Sequence, residues 1–166
     1  EPLYAFGYGL SYTTFAYSGL KVARQDDGSC RVSFDVRNTG RRDGAEVAQL
    51  YVSDLAASVP RPVKELKEFV KVDLQPGESR RVTVTLNKRS FAFYHVGLAD
   101  WYAESGEYEI LVGSASDDIR LRASVQVTSS VTPVKKYNEY ITMADLARLE
   151  KAAPFLQAMA STSPCL

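Results

Sequence analysis

The chain is poor in the side chains that build most metal centres and nucleophilic active sites. Its 166 residues include one histidine, His95, and two cysteines, Cys30 and Cys165. A single histidine supports neither a histidine-based catalytic triad nor a multi-histidine metal site. Two cysteines do not make a disulfide-rich scaffold. His95 lies in the aromatic run 91–95, where we expect a structural role. We therefore expect no metal and no cofactor.

The sequence also has no excess charge and no long apolar run. Twenty basic and 20 acidic residues give a net charge of zero, so nothing favours nucleic acid or an anionic membrane surface as a partner. No apolar run approaches the roughly 20 residues of a membrane helix. The chain opens at Glu1 without a methionine or an apolar signal segment, so we expect it to be processed or cut from a longer protein.

What the sequence does contain is a succession of short alternating segments. From Cys30 to Arg37, apolar and polar residues alternate without an error, which is typical of a strand with one buried face. About seven such strands, separated by turn residues such as Pro76-Gly77, predict an all-β antiparallel sandwich. The alternation places in the core Val32, Phe34, Leu50, Val84, Ile110 and Leu121.

The segment 47–69 differs from an ordinary hairpin. Its first strand is predicted to be half-buried, with Ala48, Leu50 and Val52 on the inner face. After Asp54 comes a loop of about ten residues that contains Pro60 and Pro62, followed by a second apolar strand. A loop longer than a hairpin requires usually has a function.

This segment resembles the fibronectin type III-like domain at the end of family 3 glycoside hydrolases, the β-glucosidases and β-xylosidases. There a strand that reads roughly E-V-x-Q-L-Y-V-x-D is followed by R-P-x-K-E-L-K-x-F. Residues 3–15 are similar to the run by which those enzymes enter the domain. The stretches 36–40, 74–78 and 106–113 also fit, in the family's order. The resemblance covers residues 2 to about 127 and implies a fibronectin type III/immunoglobulin-like fold. Cys30 is alone in the sandwich, which favours the fibronectin type over a true immunoglobulin domain.

We therefore expect three parts: an aromatic and glycine-rich segment at 1–14, a fibronectin type III-like sandwich at 15–127, and a linker with a helical tail at 128–166. In the tail, residues 142–145 form a capping box with Asp145 in place of the usual glutamate. An apolar stripe at helical spacing follows, and Pro154 should kink or split the helix. Three alternatives are open for this helix: it docks on the sandwich, it docks on another domain or subunit, or the segment is disordered. The stripe consists of Leu146, Leu149, Ala153 and Leu156.

Catalytic residues are not expected in this chain. Glycoside hydrolysis with retention requires two carboxylates about 5–5.5 Å apart. The resemblance implies that these lie on a barrel domain and an α/β domain, whose motifs are not found here. Asp54 and Glu65 flank a loop rich in lysine and arginine, so we expect them to form salt bridges. The parent protein is expected to be a β-glycosidase, while the chain by itself is not assigned a catalytic activity.

Two groups of residues are predicted to contact a neighbouring domain. The aromatic side chains at the N-terminus either pack on such a domain or cover one end of this domain's own core. The ion pairs of the loop after Asp54 are expected to be exposed, and exposed ion pairs contribute too little free energy to hold a loop in one conformation. We therefore expect this loop to be mobile in the isolated domain and ordered against a partner. The predicted interface residues are Tyr4, Phe6, Tyr8, Tyr12, Arg61, Lys64, Glu65 and Lys67.

Trp101 and Tyr102 are candidates for contact with a sugar, because exposed aromatic rings stack on sugar rings. The alternative is that Trp101 closes the sandwich edge between two strands. Trp101 and Tyr102 therefore make polysaccharide a candidate partner of this chain.

The resemblance implies a non-catalytic accessory domain of a β-glucosidase-like enzyme. Such a domain would stabilise the catalytic barrel and α/β domains and shape the rim of the active site. A stand-alone module that binds carbohydrate or protein is the alternative, and a sandwich that oligomerises through its tail helix is a third interpretation. Secreted or periplasmic localisation is expected for the parent enzyme.

Overall fold

The computed structural model describes residues 3–133 and, beyond them, residues 142, 146, 152, 154 and 156–158. The chain divides into two compact units, residues 1–132 and 133–166. Within its described residues the first unit contains nine strands and one short 3-10 helix, Lys88–Phe91. The strands are β1 (Phe15–Arg24), β2 (Cys30–Asn38), β3 (Gly44–Asp54), β4 (Glu65–Leu74), β5 (Ser79–Leu86), β6 (Phe93–His95), β7 (Asp100–Tyr102), β8 (Gly106–Gly113) and β9 (Ile119–Val127).

Seven of these strands form two antiparallel sheets. One sheet has the order β1-β2-β5 and the other the order β4-β3-β8-β9, which confirms the predicted sandwich of about seven strands. The strands β6 and β7 pair with each other in a separate hairpin. The aromatic run 91–95 noted in the sequence contributes β6 of this hairpin.

The core lies between the inner faces of the two sheets. Val32, Phe34, Leu50, Val84 and Ile110 are buried there as predicted, while Leu121 is half-buried and packs against them. Their burial follows from the period-two alternation, because every second side chain of a strand points to the same face.

Two glycines set local backbone geometry. Gly19 has a φ of 65°, and the pairing of β1 with β2 shifts register between Ser18 and Lys21, which is a β-bulge. Gly77 has a φ of 78° in the turn after β4, where the Glu78 N–H donates to the Gln75 carbonyl at 3.0 Å. That position of a type II turn requires a positive φ.

The central strand β3 corrects one expectation. Its inner residues Ala48, Leu50 and Val52 are buried, but so are Gln49, Tyr51 and Ser53 on the outer face, with relative exposures of 5%, 2% and 7%. The prediction of a half-buried strand is therefore wrong, because other segments of the chain cover the outer face of β3.

The tail is helical at the positions that the structure describes. Leu146 is helical and its N–H donates to the Thr142 carbonyl at 2.9 Å. Pro154 and residues 156–158 are helical as well, and Ala152 is in a 3-10 turn. The predicted short helix is thus confirmed, while residues 143–145, 149, 153 and 165, which the predictions for the tail also named, lie outside the described residues. Across the described part of the chain, no helix has the length and apolar character needed to cross a bilayer.

Candidate domain interface

The backbone of the N-terminal segment is attached to the outer face of the sandwich. The Gln49 side-chain amide donates to the Gly7 carbonyl at 3.1 Å and to the Ser114 carbonyl at 2.5 Å. The Ser116 N–H donates to the Phe6 carbonyl at 2.9 Å. Gly7 has a φ of 79°, and a Cβ there would collide with the Gln49 amide. A glycine is therefore required where the segment crosses β3.

The aromatic side chains of this segment point away from the domain. Tyr8 is 50% exposed and Tyr12 is 90% exposed, with Tyr4 and Phe6 between these values. The rings of Tyr4 and Tyr8 stack on each other at 5.1 Å between centroids. Such exposure contradicts the alternative that these rings cover one end of the domain's own core. A fixed backbone with exposed apolar side chains is typical of a contact surface.

A buried asparagine holds the C-terminal end of the segment. Asn38 is fully buried, and its amide donates to the Arg42 and Leu74 carbonyls at 2.7 and 3.0 Å. Its side-chain oxygen accepts hydrogen bonds from the Thr13 hydroxyl at 2.7 Å and the Gly40 N–H at 3.0 Å. In the sequence, the Asn-Thr-Gly turn is the one visible signal for Asn38, because its partners at 13 and 74 are distant along the chain.

Arg61 is the centre of the loop between β3 and β4. Its guanidinium lies 3.2 Å from the Asp54 carboxylate and 2.8 Å from that of Glu65. It also donates to the Phe91 carbonyl at 3.3 Å and lies 5.6 Å from the centroid of the Phe93 ring. The salt bridges expected for Asp54 and Glu65 are thus present.

The burial of this ion pair corrects the expectation of exposed charges. The side chains of Arg61 and Asp54 are each only 6% exposed. Weak, solvated pairs and a mobile loop were predicted, whereas Arg61 ties the loop to β3, β4 and the 3-10 helix of its own domain. Sequence alone gave no sign of this, since the Phe91 and Phe93 contacts come from a segment 30 residues away.

The remaining charges of the loop are unequally partnered. Lys67 lies 2.6 Å from Glu65. Burial works against ionisation of Glu65, but the hydrogen bonds from Lys67 and Arg61 outweigh it and lower the pKa of that carboxyl. Lys64 has no ion-pair partner among the described residues. Of the predicted loop residues, Lys64 is therefore the one whose charge remains available to another domain.

Neighbouring polar groups hold the rest of the loop. The Ser53 hydroxyl donates to the Val63 carbonyl at 2.6 Å, and the Ser58 N–H donates to the Glu104 carboxylate at 2.9 Å.

Burial, and then the negative charge of Asp54, raise the pKa of Tyr108 beneath the loop to about 12, so its hydroxyl stays protonated at neutral pH. The Val63 side chain nevertheless points to solvent.

The N-terminal segment and the loop lie on one face of one strand. Gln49 holds the first and Ser53 the second. These two residues share a face of β3 and are about 13 Å apart at the usual rise per residue. We call residues 3–14 and 55–64 together the β3 outer surface. It explains why both faces of β3 are buried.

The candidate sugar-contacting residues lie elsewhere, on the β6–β7 hairpin. Trp101 pairs with Tyr94 across the hairpin and is 46% exposed, so it does not close the sandwich edge. Tyr102 is half-buried, with its ring 5.8 Å from that of Phe93 and 5.7 Å from that of His95. His95 packs within this cluster and accepts a hydrogen bond from the Leu98 N–H at 3.2 Å, which is the structural role expected for it.

Charged side chains in the described part of the chain do not assemble into a metal-binding cluster. Among these residues, no group of three or more histidine, cysteine, aspartate or glutamate side chains is close enough to hold an ion. Asp118 in the turn before β9 is engaged by Arg120 at 2.7 Å and by the Ser114 hydroxyl at 2.6 Å. The carboxylates of Asp54 and Glu65 are likewise held by cations.

Comparison with known proteins agrees with this architecture. Residues 46–116 match the fibronectin type III-like domain. The chain is 48% identical to the thermostable β-glucosidase B of Acetivibrio thermocellus over 94% of the chain and 21% of that protein. It is 41% identical to a periplasmic β-glucosidase of Salmonella typhimurium over 72% of the chain and 16% of that protein.

A solved structure gives the same result in three dimensions. The GH3 β-glucosidase of Bifidobacterium adolescentis superposes with a TM-score of 0.78 and 38% identity, over 92% of this chain and 23% of that one. The sequence similarity to the Acetivibrio thermocellus enzyme, which covers 94% of the chain, extends beyond residue 127 where the motifs end. The chain spans about a fifth of the length of the curated relatives it matches. Its motifs, its sandwich and these similarities agree: the chain belongs to the fibronectin type III-like domains of family 3 glycoside hydrolases.

Proposed function

We propose that this chain is a non-catalytic accessory domain of a larger family 3 β-glycosidase, β-glucosidase-like in type, and that it packs against the catalytic domains through the β3 outer surface. The observation that carries this proposal is the N-terminal segment. Its backbone is bonded to the sandwich at Gly7 and Phe6, while its aromatic side chains remain in solvent. Holding apolar rings outward on a fixed backbone has no benefit for this domain alone, because apolar surface is stabilised by burial.

The loop of this surface adds a rigid element to the contact. Because Arg61, Glu65 and Lys67 satisfy one another internally, the loop presents a preformed shape rather than free charge. Pre-organisation lowers the entropy that ordering at an interface would cost. Val63 is exposed, and Lys64 has no ion-pair partner in the part of the chain that the structure describes. These two are then the loop positions available to the catalytic domains, where the loop would shape the rim of the active site.

The chemistry of glycoside hydrolysis belongs, on this proposal, to the partner domains. The carboxylates of Asp54 and Glu65 are both bound by Arg61, so neither is free to protonate a leaving group or to attack a sugar. The kinship with a periplasmic β-glucosidase supports a secreted or periplasmic location for the whole protein.

Complementation tests the proposal. A family 3 β-glucosidase whose equivalent domain has been deleted is coexpressed with this chain, and the amount of soluble enzyme that copurifies with it is measured. The triple substitution Tyr4→Ser, Phe6→Ser and Tyr8→Ser should reduce copurification at least tenfold, since burial of aromatic side chains dominates most interfaces. Tyr94→Ser, which removes a similarly exposed ring from the β6–β7 hairpin, is the matched control and should have no effect.

The opposite pattern would contradict the proposal. If Tyr94→Ser abolished copurification and the triple variant did not, the partner would bind the hairpin instead of the β3 outer surface. If the unmodified chain failed to associate at all, the alternative of a stand-alone binding module would be favoured.

A further inference from the structure

A cleft of about 430 Å³ opens at the end of the sandwich where β1 and β9 finish and β2 begins. Its walls include Arg24, Lys88, Arg89, Trp101 and Tyr102. The N-terminal segment meets the sandwich at the other end of β1, which has ten residues and is thus about 33 Å long. The cleft is therefore separate from that part of the β3 outer surface.

Unpaired positive charge is the first property of this cleft. Three cations line it, Arg24, Lys88 and Arg89, against one carboxylate, Asp26. None of the three cations forms an ion pair with a described residue. In a chain with zero net charge, this concentration of unpaired cations favours an anionic ligand.

Two of these cations are positioned by neutral groups. Arg24 donates to the Gln126 carbonyl at 3.0 Å and to the Thr128 hydroxyl at 3.3 Å, so its orientation is fixed without neutralising its charge. The aliphatic part of Lys88 lies across Gly28, where a Cβ would be only 2.7 Å from the lysine Cε. The adjacent Asp27 accepts the Ser29 N–H at 2.8 Å. The hydrogen bonds from Ser29 and, to a lesser extent, the positive charge of Lys88 lower the pKa of the Asp27 carboxyl, although the two side chains do not form an ion pair.

An aromatic platform is the second property. The Arg89 guanidinium lies 4.1 Å from the centroid of the Trp101 ring, and nearly half of the tryptophan surface stays accessible. The planar Arg89 guanidinium carries five N–H donors, and the Arg89 side chain donates to no residue in the described part of the chain. The negative face of an aromatic ring attracts the polarised C–H groups of a sugar.

We propose that this cleft binds an acidic oligosaccharide, one built from uronic acid units. Its carboxylates are received by Arg89 and Lys88, and a sugar ring lies against Trp101. A neutral glucan would cover the ring but leave the cations unbalanced, and an acidic peptide would supply charge without a ring. The proposal is independent of the interface above, because it uses none of the residues of the β3 outer surface.

The single tryptophan makes a direct test practical. Since the chain contains one tryptophan, its fluorescence reports on Trp101 alone. The full chain is titrated with tetragalacturonate, and we expect a saturable change with a Kd on the order of 0.1–1 mM that weakens between about 20 and 150 mM salt. Arg89→Gln should weaken binding at least tenfold. Arg37→Gln, an exposed arginine on β2 without an ion pair among the described residues, should change it less than twofold.

Three results would overturn the proposal. An equal loss in Arg37→Gln would show general charge attraction, and equal affinity for cellotetraose would show a neutral sugar site. Equal affinity for tetra-aspartate would show a site for acidic peptide. Calorimetry on Trp101→Ala supplies a second measurement, in which tetragalacturonate binding should be lost while the melting temperature is retained.

Discussion

Replacing Arg61 with alanine should destabilise the isolated domain strongly. The Arg61 and Asp54 side chains are each 6% exposed, and the removal of one partner from a buried pair leaves the other charge without compensation. Such changes typically destabilise by about 3–5 kcal/mol. Asp54 would keep a hydrogen bond from the Ala56 N–H at 3.1 Å, and Glu65 would keep Lys67. We therefore expect the lower end, about 3 kcal/mol.

The measurement is thermal and urea unfolding followed by circular dichroism. For a chain of this size, about 3 kcal/mol corresponds to a fall in melting temperature of roughly 6–12 °C. Arg80→Ala is the control, because its pair with Glu78 is exposed and should contribute no more than about 1 kcal/mol. In the double variant Asp54→Ala with Arg61→Ala, the loss should be smaller than the sum of the single losses. Equal, small effects at Arg61 and Arg80 would refute the structural role of the buried pair.

Three further outcomes follow from the same geometry. Phe34→Ala should destabilise by about 3–5 kcal/mol as a core truncation, whereas Arg37→Ala should stay within about 0.5 kcal/mol; similar values in urea unfolding would mean that the register of β2 is misassigned. Burial raises the pKa of Glu46 despite its hydrogen bond from the Tyr17 hydroxyl at 2.8 Å. The stabilising contribution of the Glu46 side chain is thus fully present below pH 4.5 and falls as the pH rises through the folded pKa. Glu46→Gln should therefore raise the free energy of unfolding more at pH 7 than at pH 4, as measured by urea unfolding. The reverse order would show that the carboxylate is stabilising. The purified chain should hydrolyse nitrophenyl β-glucoside no faster than buffer, and turnover that followed the protein through a final chromatography step would disprove this.

The sandwich and its core could be predicted from the sequence because both follow from the alternation of apolar and polar residues within each strand. Phe34 and Ile110 are inward residues of their strands whatever the strands pair with. The bulge at Gly19 and the turn at Gly77 also depend on local sequence, because a glycine can adopt a positive φ whatever its tertiary contacts are.

The properties of the candidate site depended instead on contacts between distant segments. Gln49 and Tyr51 follow a half-exposed pattern, yet they are buried because the N-terminal segment and the loop lie across them. Arg61 is followed by Glu65 four residues later, but only the Phe91 carbonyl and the Phe93 ring, 30 and 32 residues away, complete its environment. No pattern within β3 or the loop encodes those contacts.

Side-chain footprinting tests the central claim most directly. Hydroxyl radicals modify exposed aromatic rings, so the chain is labelled alone and in complex with a family 3 β-glucosidase that lacks the equivalent domain. Packing through the β3 outer surface predicts that Tyr4, Phe6, Tyr8 and Tyr12 lose reactivity in the complex while Tyr94 keeps it. Undiminished labelling of the four N-terminal rings in a complex of confirmed stoichiometry would contradict the assignment of that surface.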